Sequence, residues 1–386
     1  MLATLFLMFG ALCLTLLIYP YAIYPLVLRH LARKGRGASL PAPSRDRAST
    51  APARVAVAVC AYNEERWIVA KAENLREMQR RHPGLEVLIY SDGSDDETVS
   101  RLAPFAEHFQ VIAEPRRMGK SHGMNRLVQA TTADAIIFSD CNVIVEPDAP
   151  ARVLEGFGDP RVGCISGQLV YVNEGENATT AVGGLYWRLE EWIKAKETET
   201  GSAMGADGSL FAVRRALYPP VPADIIDDMY VSLSILCDGY RVVSMPALRA
   251  FEQTASGWGD EMRRKTRIAC QAFNCHRLLW PRLRRLGAME RFQYVSHKLL
   301  RWFGLYFALA GLVFTVSGLA LAGWMLAAFA LLLASGVALA LGLAFPIRYL
   351  AEASRTASFI AATGYGVVLS FVGYRFRTWT PPQSAR

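Results

Sequence analysis

Val55-Ala56-Val57-Ala58-Val59-Cys60 runs straight into Ala61-Tyr62-Asn63-Glu64-Glu65, and this junction decides the fold. A run of β-branched and small residues without a polar side chain reads as a strand buried on both faces. The polar turn ends it, and Asn63 to Arg81 reads as a helix. Working outward, Glu86–Tyr90, Phe109–Ala113 and Ala135–Phe138 read as further strands, with helices at Asp95–Phe105 and Gly119–Ala130. Strands alternating with helices over ~90 residues imply an α/β fold, a parallel sheet covered on both faces. Such sheets bind ligands beyond the carboxyl ends of their strands.

Three of those ends are acidic. Glu64 and Glu65 follow the first strand. Ser91-Asp92-Gly93-Ser94-Asp95-Asp96-Glu97-Thr98 follows the second, and Ser139-Asp140-Cys141-Asn142 the fourth. Each alone reads as a solvated loop. Gathered on one edge, like charges repel unless a cation or ligand donors offset them, and a divalent metal carrying a phosphate-bearing substrate does so. Gly119-Lys120-Ser121 looks like the end of a P-loop, but that pattern requires glycine at position 114, which is Glu114. A P-loop nucleotidase is excluded. Lys120 at a helix start still suits a phosphate, with an ordinary surface lysine as the alternative. Further on, Ile225-Ile226-Asp227-Asp228-Met229 puts two carboxylates at the start of an apolar helical run. That is a good place for a helix cap or for a held anionic group.

The chain has 386 residues, 52% of them hydrophobic, and a net charge of +8. Charged residues are absent from Leu2–Leu28, Trp302–Ile347 and Ala357–Tyr374. The first run reads as one retained membrane helix, kinked or ended by Pro20 and Pro25. The second is about twice the length of one span and is expected to turn near Gly318–Gly323. The third gives a short span. Arg29, Arg33, Lys34 and Arg36 follow the first span, while Arg282, Arg284, Arg285, Arg291, Lys298 and Arg301 precede the second block. They place the domain between them in the cytosol. The basic balance is thereby assigned to membrane flanks; no basic strip interleaved with aromatics points to nucleic acid. Four spans would leave the C-terminus outside, whereas Arg375 and Arg377 favour inside, so one segment is re-entrant or the tail breaks the rule. The seven cysteines form no CxxC pair, which fits reduced thiols and neither a zinc site nor a disulfide framework.

With Gly119-Lys120, Asn125 and Asp227-Asp228 in this order, the motifs resemble those of the membrane-embedded family 2 glycosyltransferases of the GT-A (Rossmann-like) fold, the branch with cellulose and hyaluronan synthases. The resemblance covers about residues 54–270. It implies an N-terminal transmembrane helix (1–28), a basic linker (29–53), a cytosolic catalytic domain (54–280), an amphipathic interface segment (281–301), about three C-terminal transmembrane helices (302–374) and a tail (375–386). The protein is then expected in the inner (cytoplasmic) membrane, multi-pass, working on a nucleotide sugar, a UDP-sugar foremost, and a polysaccharide or lipid-linked acceptor.

The resemblance also assigns roles. Ala61, Tyr62, Asn63, Glu64 and Asp92 would hold the base and ribose of the donor, and Lys120 its diphosphate. Asp140-Cys141-Asn142 stands at the family's DxD metal motif, so Asp140 contacts the donor and, with Asn142, binds Mg2+ or Mn2+. Asn142 replaces the second carboxylate with a neutral oxygen. Gly205, Ala206 and Asp207 would line the acceptor site. Asp228 would be the general base, oriented by Asp227. Arg263 to Ile268 stands at the QxxRW motif of processive synthases. Arg267 matches its arginine and is expected on the diphosphate; Arg264 replaces the glutamine, on the acceptor side, and Ile268 the tryptophan. The resemblance therefore carries glycosyl transfer but not chain extension. A basic amphipathic helix on the membrane is the other reading of that run. Tyr186, Trp187, Trp192 and Ile193 are expected to pack, with an acceptor-facing aromatic as the alternative.

Two other classes of function compete. A non-catalytic nucleotide-sugar-binding component of a synthase complex would be expected to have lost Asp140 or Asp228. A lipid transporter would be expected to keep ionisable residues between Trp302 and Ile347. A polymer channel of so few spans would be narrow and would call for a homo-oligomer.

Overall fold

The computed structural model describes residues 1–34, 52–172, 178–252, 258–344 and 348–378. Most of the expected linker 29–53 lies outside them. The N-terminal apolar run is two helices, α1 (Leu2–Ile18) and α2 (Ile23–Arg33), bent by 58° where Pro20 interrupts the backbone ladder. The domain follows with β1 (Val55–Ala61), α3 (Ile68–Arg81), β2 (Glu86–Asp92), a 3-10 turn at Ser100–Phe105, β3 (Gln110–Glu114), α4 (Lys120–Ala130) and β4 (Ala135–Asp140). Two expected helices are shorter than read. Residues 62–67 are held by the next loop, and Pro104 sits inside the 3-10 turn.

Next come β5 (Ile144–Val145), α5 (Ala149–Gly156), β6 (Val162–Tyr171), α6 (Ala178–Thr200), β7 (Leu210–Arg214), α7 (Asp227–Cys237) and β8 (Arg241–Glu252). All eight strands join one sheet, in the order β3-β2-β1-β4-β7-β6-β8-β5. The expected parallel sheet is one half of it. β1, β2, β3 and β4 are parallel, and β7 enters antiparallel to β4, making the sheet mixed.

Alternation along β1 explains why it is central. Val55, Val57 and Val59 face Ile68, Leu75 and Met78 of α3, while Ala56 and Ala58 face the layer with Met124 and Leu127 of α4 and Val231 and Ile235 of α7. Each fully buried Ile, Leu or Met contributes roughly 1.5–3 kcal/mol. The acidic loops are thereby anchored on strands that cannot shift register without exposing both cores.

The C-terminal part holds α8 (Trp258–Leu283), α9 (Ala288–Tyr294), a π turn at Val295–Leu299, α10 (Leu300–Trp302), α11 (Gly304–Leu321), α12 (Met325–Ala344) and α13 (Arg348–Phe371). Among the described residues α11 alone is long and apolar enough to cross a membrane, and α1 with α2 passes the same criterion as a bent pair. The chain turns at Gly323, as read. α13, the third apolar run, packs along α8. Tyr374–Thr378 then leads back onto the domain, where Arg375 pairs with Asp224.

Candidate active site

The loops after β1 and β2 are fastened to each other. Ser94 and Thr98 hydroxyls accept the backbone N–H groups of Asn63 (3.1 Å) and Glu64 (2.8 Å), and Asp96 accepts that of Glu65 at 3.1 Å. Asn63 adopts φ 52°, the left-handed region that asparagine tolerates. Tyr62 carries the Arg117 guanidinium over its ring, 3.6 Å from the centroid. Ala61 closes β1 and is buried.

Asp92 is fully buried. Its carboxylate accepts the N–H groups of Met118 (2.7 Å) and Gly119 (3.0 Å), and so fixes the turn that starts α4. Gly119 has φ +96°, which L side chains rarely adopt. That turn aims Lys120. Its ammonium donates to Asp140 Oδ1 at 2.8 Å and lies 3.3 Å from Asp227 Oδ2. Burial works against the charge, but Asp140 and Asp227 outweigh it and hold Lys120 protonated, well above the usual lysine range.

Asp140 ends β4, and its N–H donates to Ser209 O at 3.2 Å. Beneath it lies Lys71, fully buried, donating to Ser139 Oγ (2.7 Å) and Val143 O (2.9 Å), with burial pulling its pKa down to about 8. Asn142 points its amide at Glu252 Oε1, 2.8 Å away. Burial raises Glu252 to about 7 and Glu64 to about 8, and Asp140 adds to both shifts. Carboxylates thus crowd around Asp140.

Asp227 and Asp228 open α7, at the positive end of its dipole. Burial, then the adjacent Asp227, pushes Asp228 to about 7. Asp228 sits so close to Gly208 that a Cβ there would stand 2.8 Å from its Oδ2. Gly205, Ala206 and Asp207 run directly into Gly208. The Ala206 N–H is held by Ser232 Oγ at 3.2 Å, and that hydroxyl donates to Asp228 O at 2.6 Å. Asp207 is buried; Oδ1 accepts the Ser209 N–H at 2.9 Å, and Oδ2 has no hydrogen-bond partner among the described residues. Arg267 donates to Gln271 Oε1 at 3.1 Å. Burial and Arg264 lower its pKa, opposed by Asp227, Asp140 and Asp228. Arg264 lies between Glu261, Tyr171 and Glu252 on the same side. Trp187 and Ile193 pack, and Tyr186 is the half-exposed exception.

The structure therefore gathers Glu64, Lys120, Asp140, Asn142, Asp227, Asp228, Arg264 and Arg267 on one sheet edge. Sequence reading missed Glu252, Lys71 and the tail. Glu252 ends β8, whose run is broken by Pro246 and Arg249, so no unbroken apolar stretch marks it. Lys71 carries no signal on a helix that also bears Arg76, Arg80 and Arg81. The tail docks through backbone carbonyls: Gln271 donates to Phe376 O at 3.0 Å, and Arg377 O lies against Gly119.

Residues 56–219 match the profile of Glycosyl transferase family 2 and form a glycosyltransferase domain. An N-acetylglucosaminyltransferase of Rhizobium leguminosarum bv. viciae is 23% identical over 256 residues, 62% of this chain and 60% of that protein. A poly-beta-1,6-N-acetyl-D-glucosamine synthase of Staphylococcus aureus is 24% identical over 215 residues, 54% of this chain and 52% of that protein. The chain thus spans about half to three fifths of the length of these curated relatives. A mannosyltransferase of Pyrobaculum calidifontis, solved in complex with GDP-Man and Mn2+, superposes with a TM-score of 0.68 at 22% identity, covering 94% of this chain and 99% of that one. At that identity the likeness is one of fold, a mixed α/β glycosyltransferase fold of the GT-A type.

Proposed function

We propose that this chain, whose residues 56–219 form a family 2 glycosyltransferase domain, is an inverting enzyme that moves a sugar from a nucleoside-diphosphate sugar to a polysaccharide or lipid-linked acceptor. The observation that carries the reading is the Lys120 bridge. One ammonium joins Asp140, at the motif position of the donor phosphates, to Asp227, beside the candidate base. Donor and acceptor chemistry therefore meet at one point.

In this reading the loop at Ala61–Glu64 takes the base and ribose. Asp92 acts through the backbone, setting the Gly119 turn, and Lys120 and Arg267 face the diphosphate. The acceptor hydroxyl lies along Gly205–Gly208. Its oxygen attacks the anomeric carbon opposite the leaving group, and Asp228 takes its proton. Lys120 and Arg267 meet the charge that grows on the departing diphosphate.

A divalent cation fits the residues present. Asp140, Asn142 and Glu252 offer the hard oxygen ligands that Mg2+ and Mn2+ take, and the crowded carboxylates favour a positive charge. Among the described residues no group of three or more His, Cys, Asp and Glu side chains could by itself hold a metal ion. The protein would thus supply part of the coordination, and the diphosphate and water the rest. When bound, the ion would stabilise charge on the leaving group.

The relatives' names make an N-acetylglucosamine donor the first to test, as the UDP-sugar expected from the sequence, and the solved neighbour adds GDP-Man. α1 and α11 carry exposed apolar side chains such as Met8, Leu12, Leu309 and Val313, which supports a membrane setting with the domain on the cytosolic face. The test supplies the purified chain in lipid with a panel of nucleotide sugars and measures released nucleoside diphosphate, with and without EDTA. Acceptor-dependent release that EDTA stops is expected. Donor binding with no turnover under any condition would favour a non-catalytic component instead.

A further inference from the structure

A second polar cluster lies where α6 meets the segment leading into α11, and it takes no part in the transfer step. α6 brings Glu190 and Glu197 to it, the turn Val295–Leu299 brings His297 and Lys298, and α10 brings Arg301. His297 is fully buried between two carboxylates, with Nδ1 2.8 Å from Glu197 Oε1 and Nε2 2.9 Å from Glu190 Oε1. Tyr24 donates to Glu197 at 2.7 Å, and the Met204 N–H donates to the same carboxylate at 2.9 Å. The cluster therefore ties α2 to the backbone just before Gly205. Glu190 also receives Lys298 at 3.0 Å and Arg301. Burial opposes its charge, but His297, Lys298 and Arg301 hold it well below the usual carboxylate range.

Arg301 carries donors that its pairing with Glu190 does not use. The Arg301 side chain is only 8% exposed, yet its Nε and Nη2 have no hydrogen-bond partner among the described residues. Its guanidinium lies over the rings of Tyr21 (5.1 Å) and Tyr186 (5.6 Å). Leaving donors of a buried cation unsatisfied is costly, and an anionic ligand would satisfy them. Lys265 adds a third positive group over Tyr186 and Phe359, 3.3 Å from Glu261.

Position narrows the ligand. Lys298 Nζ lies 3.8 Å from where a Cβ on Gly205 would stand, at the near end of the acceptor segment. On the other side, α11 begins three residues after Arg301, and Tyr21 lies in the turn between α1 and α2. A phosphate-sized anionic demand thus sits between apolar helices and the acceptor segment.

We propose that Lys298, Arg301 and Lys265, framed by Tyr21 and Tyr186, bind the phosphate of an amphiphilic acceptor, a sugar joined through phosphate to a lipid. This rests on the glycosyl-transfer reading and names its acceptor class. Gly205 to Gly208 spans at most roughly 10 Å, so a phosphate at Lys298 leaves the adjoining sugar within reach of Asp228. The sugar's hydroxyl oxygen bonds to the donor's anomeric carbon as the bond from that carbon to the diphosphate breaks. The nucleoside diphosphate leaves with the electron pair, and the hydroxyl proton passes to Asp228. The acceptor phosphate is unchanged and only orients its sugar.

The test gives the full chain in lipid nanodiscs its donor and three acceptors: N-acetylglucosamine on farnesyl diphosphate, the neutral farnesyl glycoside of the same sugar, and N-acetylglucosamine 1-phosphate. The first is expected to show a KM roughly tenfold below the other two, the worth of one charge-assisted contact. Arg301→Gln and Lys265→Gln should each raise that KM roughly tenfold, and Lys265→Gln should leave the KM for donor and for the neutral glycoside unchanged. Lys265 stands outside the Glu190 cluster, so its variant decides where Arg301→Gln fails to fold. Equal use of the neutral glycoside, or a shift of all three acceptors alike by Lys265→Gln, overturns the phosphate site. A soluble sugar phosphate as good as the lipid-linked one overturns the lipid part. Failure of every donor to release nucleoside diphosphate defeats the glycosyl-transfer reading separately. Binding of farnesyl diphosphate, followed by native mass spectrometry, then still decides the phosphate site: loss in Lys265→Gln supports it, and binding equal to wild type or undetectable in both sinks it.

Discussion

In the function proposed above Asp228 is the general base, and its surroundings give it a pKa suited to that role. Burial and then Asp227 raise it to about 7, while Lys120 pulls it back down. The base must be ionised to accept a proton. Transfer is therefore expected to fall as pH drops below about 7 and to level off above it. Asp228→Asn should reduce turnover by at least about a hundredfold while keeping nucleotide-sugar binding, measured by calorimetry; near-native turnover would remove Asp228 from the base role. Stability carries the opposite sign. A carboxyl whose folded pKa lies above its unfolded value gives the fold an excess of bound protons, so stability is lost as pH rises from about 4 to about 7. Asp228→Asn is accordingly expected to melt higher than the wild type at pH 8. A chemically inert asparagine that stabilises the fold would mark Asp228 as a residue kept for chemistry.

At the scale of elements, the sheet shows what a sequence makes legible. β1, β2 and β4 were readable because burial on both faces leaves unbroken apolar runs, and the carboxylates after them followed from the rule for strand ends. The antiparallel entry of β7 was not readable. It depends on which edge of β4 is free, which no local pattern records. Glu252 escaped because its partner Asn142 is 110 residues away in sequence. The tail escaped because backbone carbonyls have no residue signature. Tyr374–Thr378 nevertheless touches three working elements: Gln271 beside Arg267, Asp224 just before the acidic pair, and the Gly119 turn. Its position also bears on the conflict over the C-terminus. Residues 374–378 lie against the domain, the side that Arg375 and Arg377 favour. Deleting residues 375–386 should raise the KM for donor several-fold with kcat changed less, because the strap orders the phosphate turn and not the base. Asp224→Ala should reproduce part of the effect, and unchanged donor KM in both would leave the strap without a role in binding.

At the scale of the whole molecule, the domain is joined to its apolar helices by close packing as well as by the Glu190–Glu197 cluster. α1 lies against α11 through small residues. A Cβ on Gly318 would stand 2.8 Å from Leu7 Cδ2 and 3.1 Å from Leu7 N, and one on Gly10 2.5 Å from Thr315 Oγ1. Backbones that near leave no gap for a side chain, and the gain is dispersion contact, which still operates where lipid removes the hydrophobic drive between helices. Outward-facing Leu5, Met8, Leu12 and Val313 stay exposed, so the pair presents an apolar surface while locking its inner face. α12 differs: Gly336 has nothing within 4 Å of an added Cβ. The contrast supplies its own control. Gly318→Leu should force α1 from α11 at a cost of about 1–3 kcal/mol, seen as a lower melting temperature in detergent. Gly336→Leu should leave that temperature unchanged. Because α1 leads through α2 to Tyr24 and the buried His297, separating the helices should also loosen the cluster beside Gly205. Gly318→Leu is then expected to weaken acceptor use before donor binding, and a variant that lost donor binding first would place the coupling elsewhere.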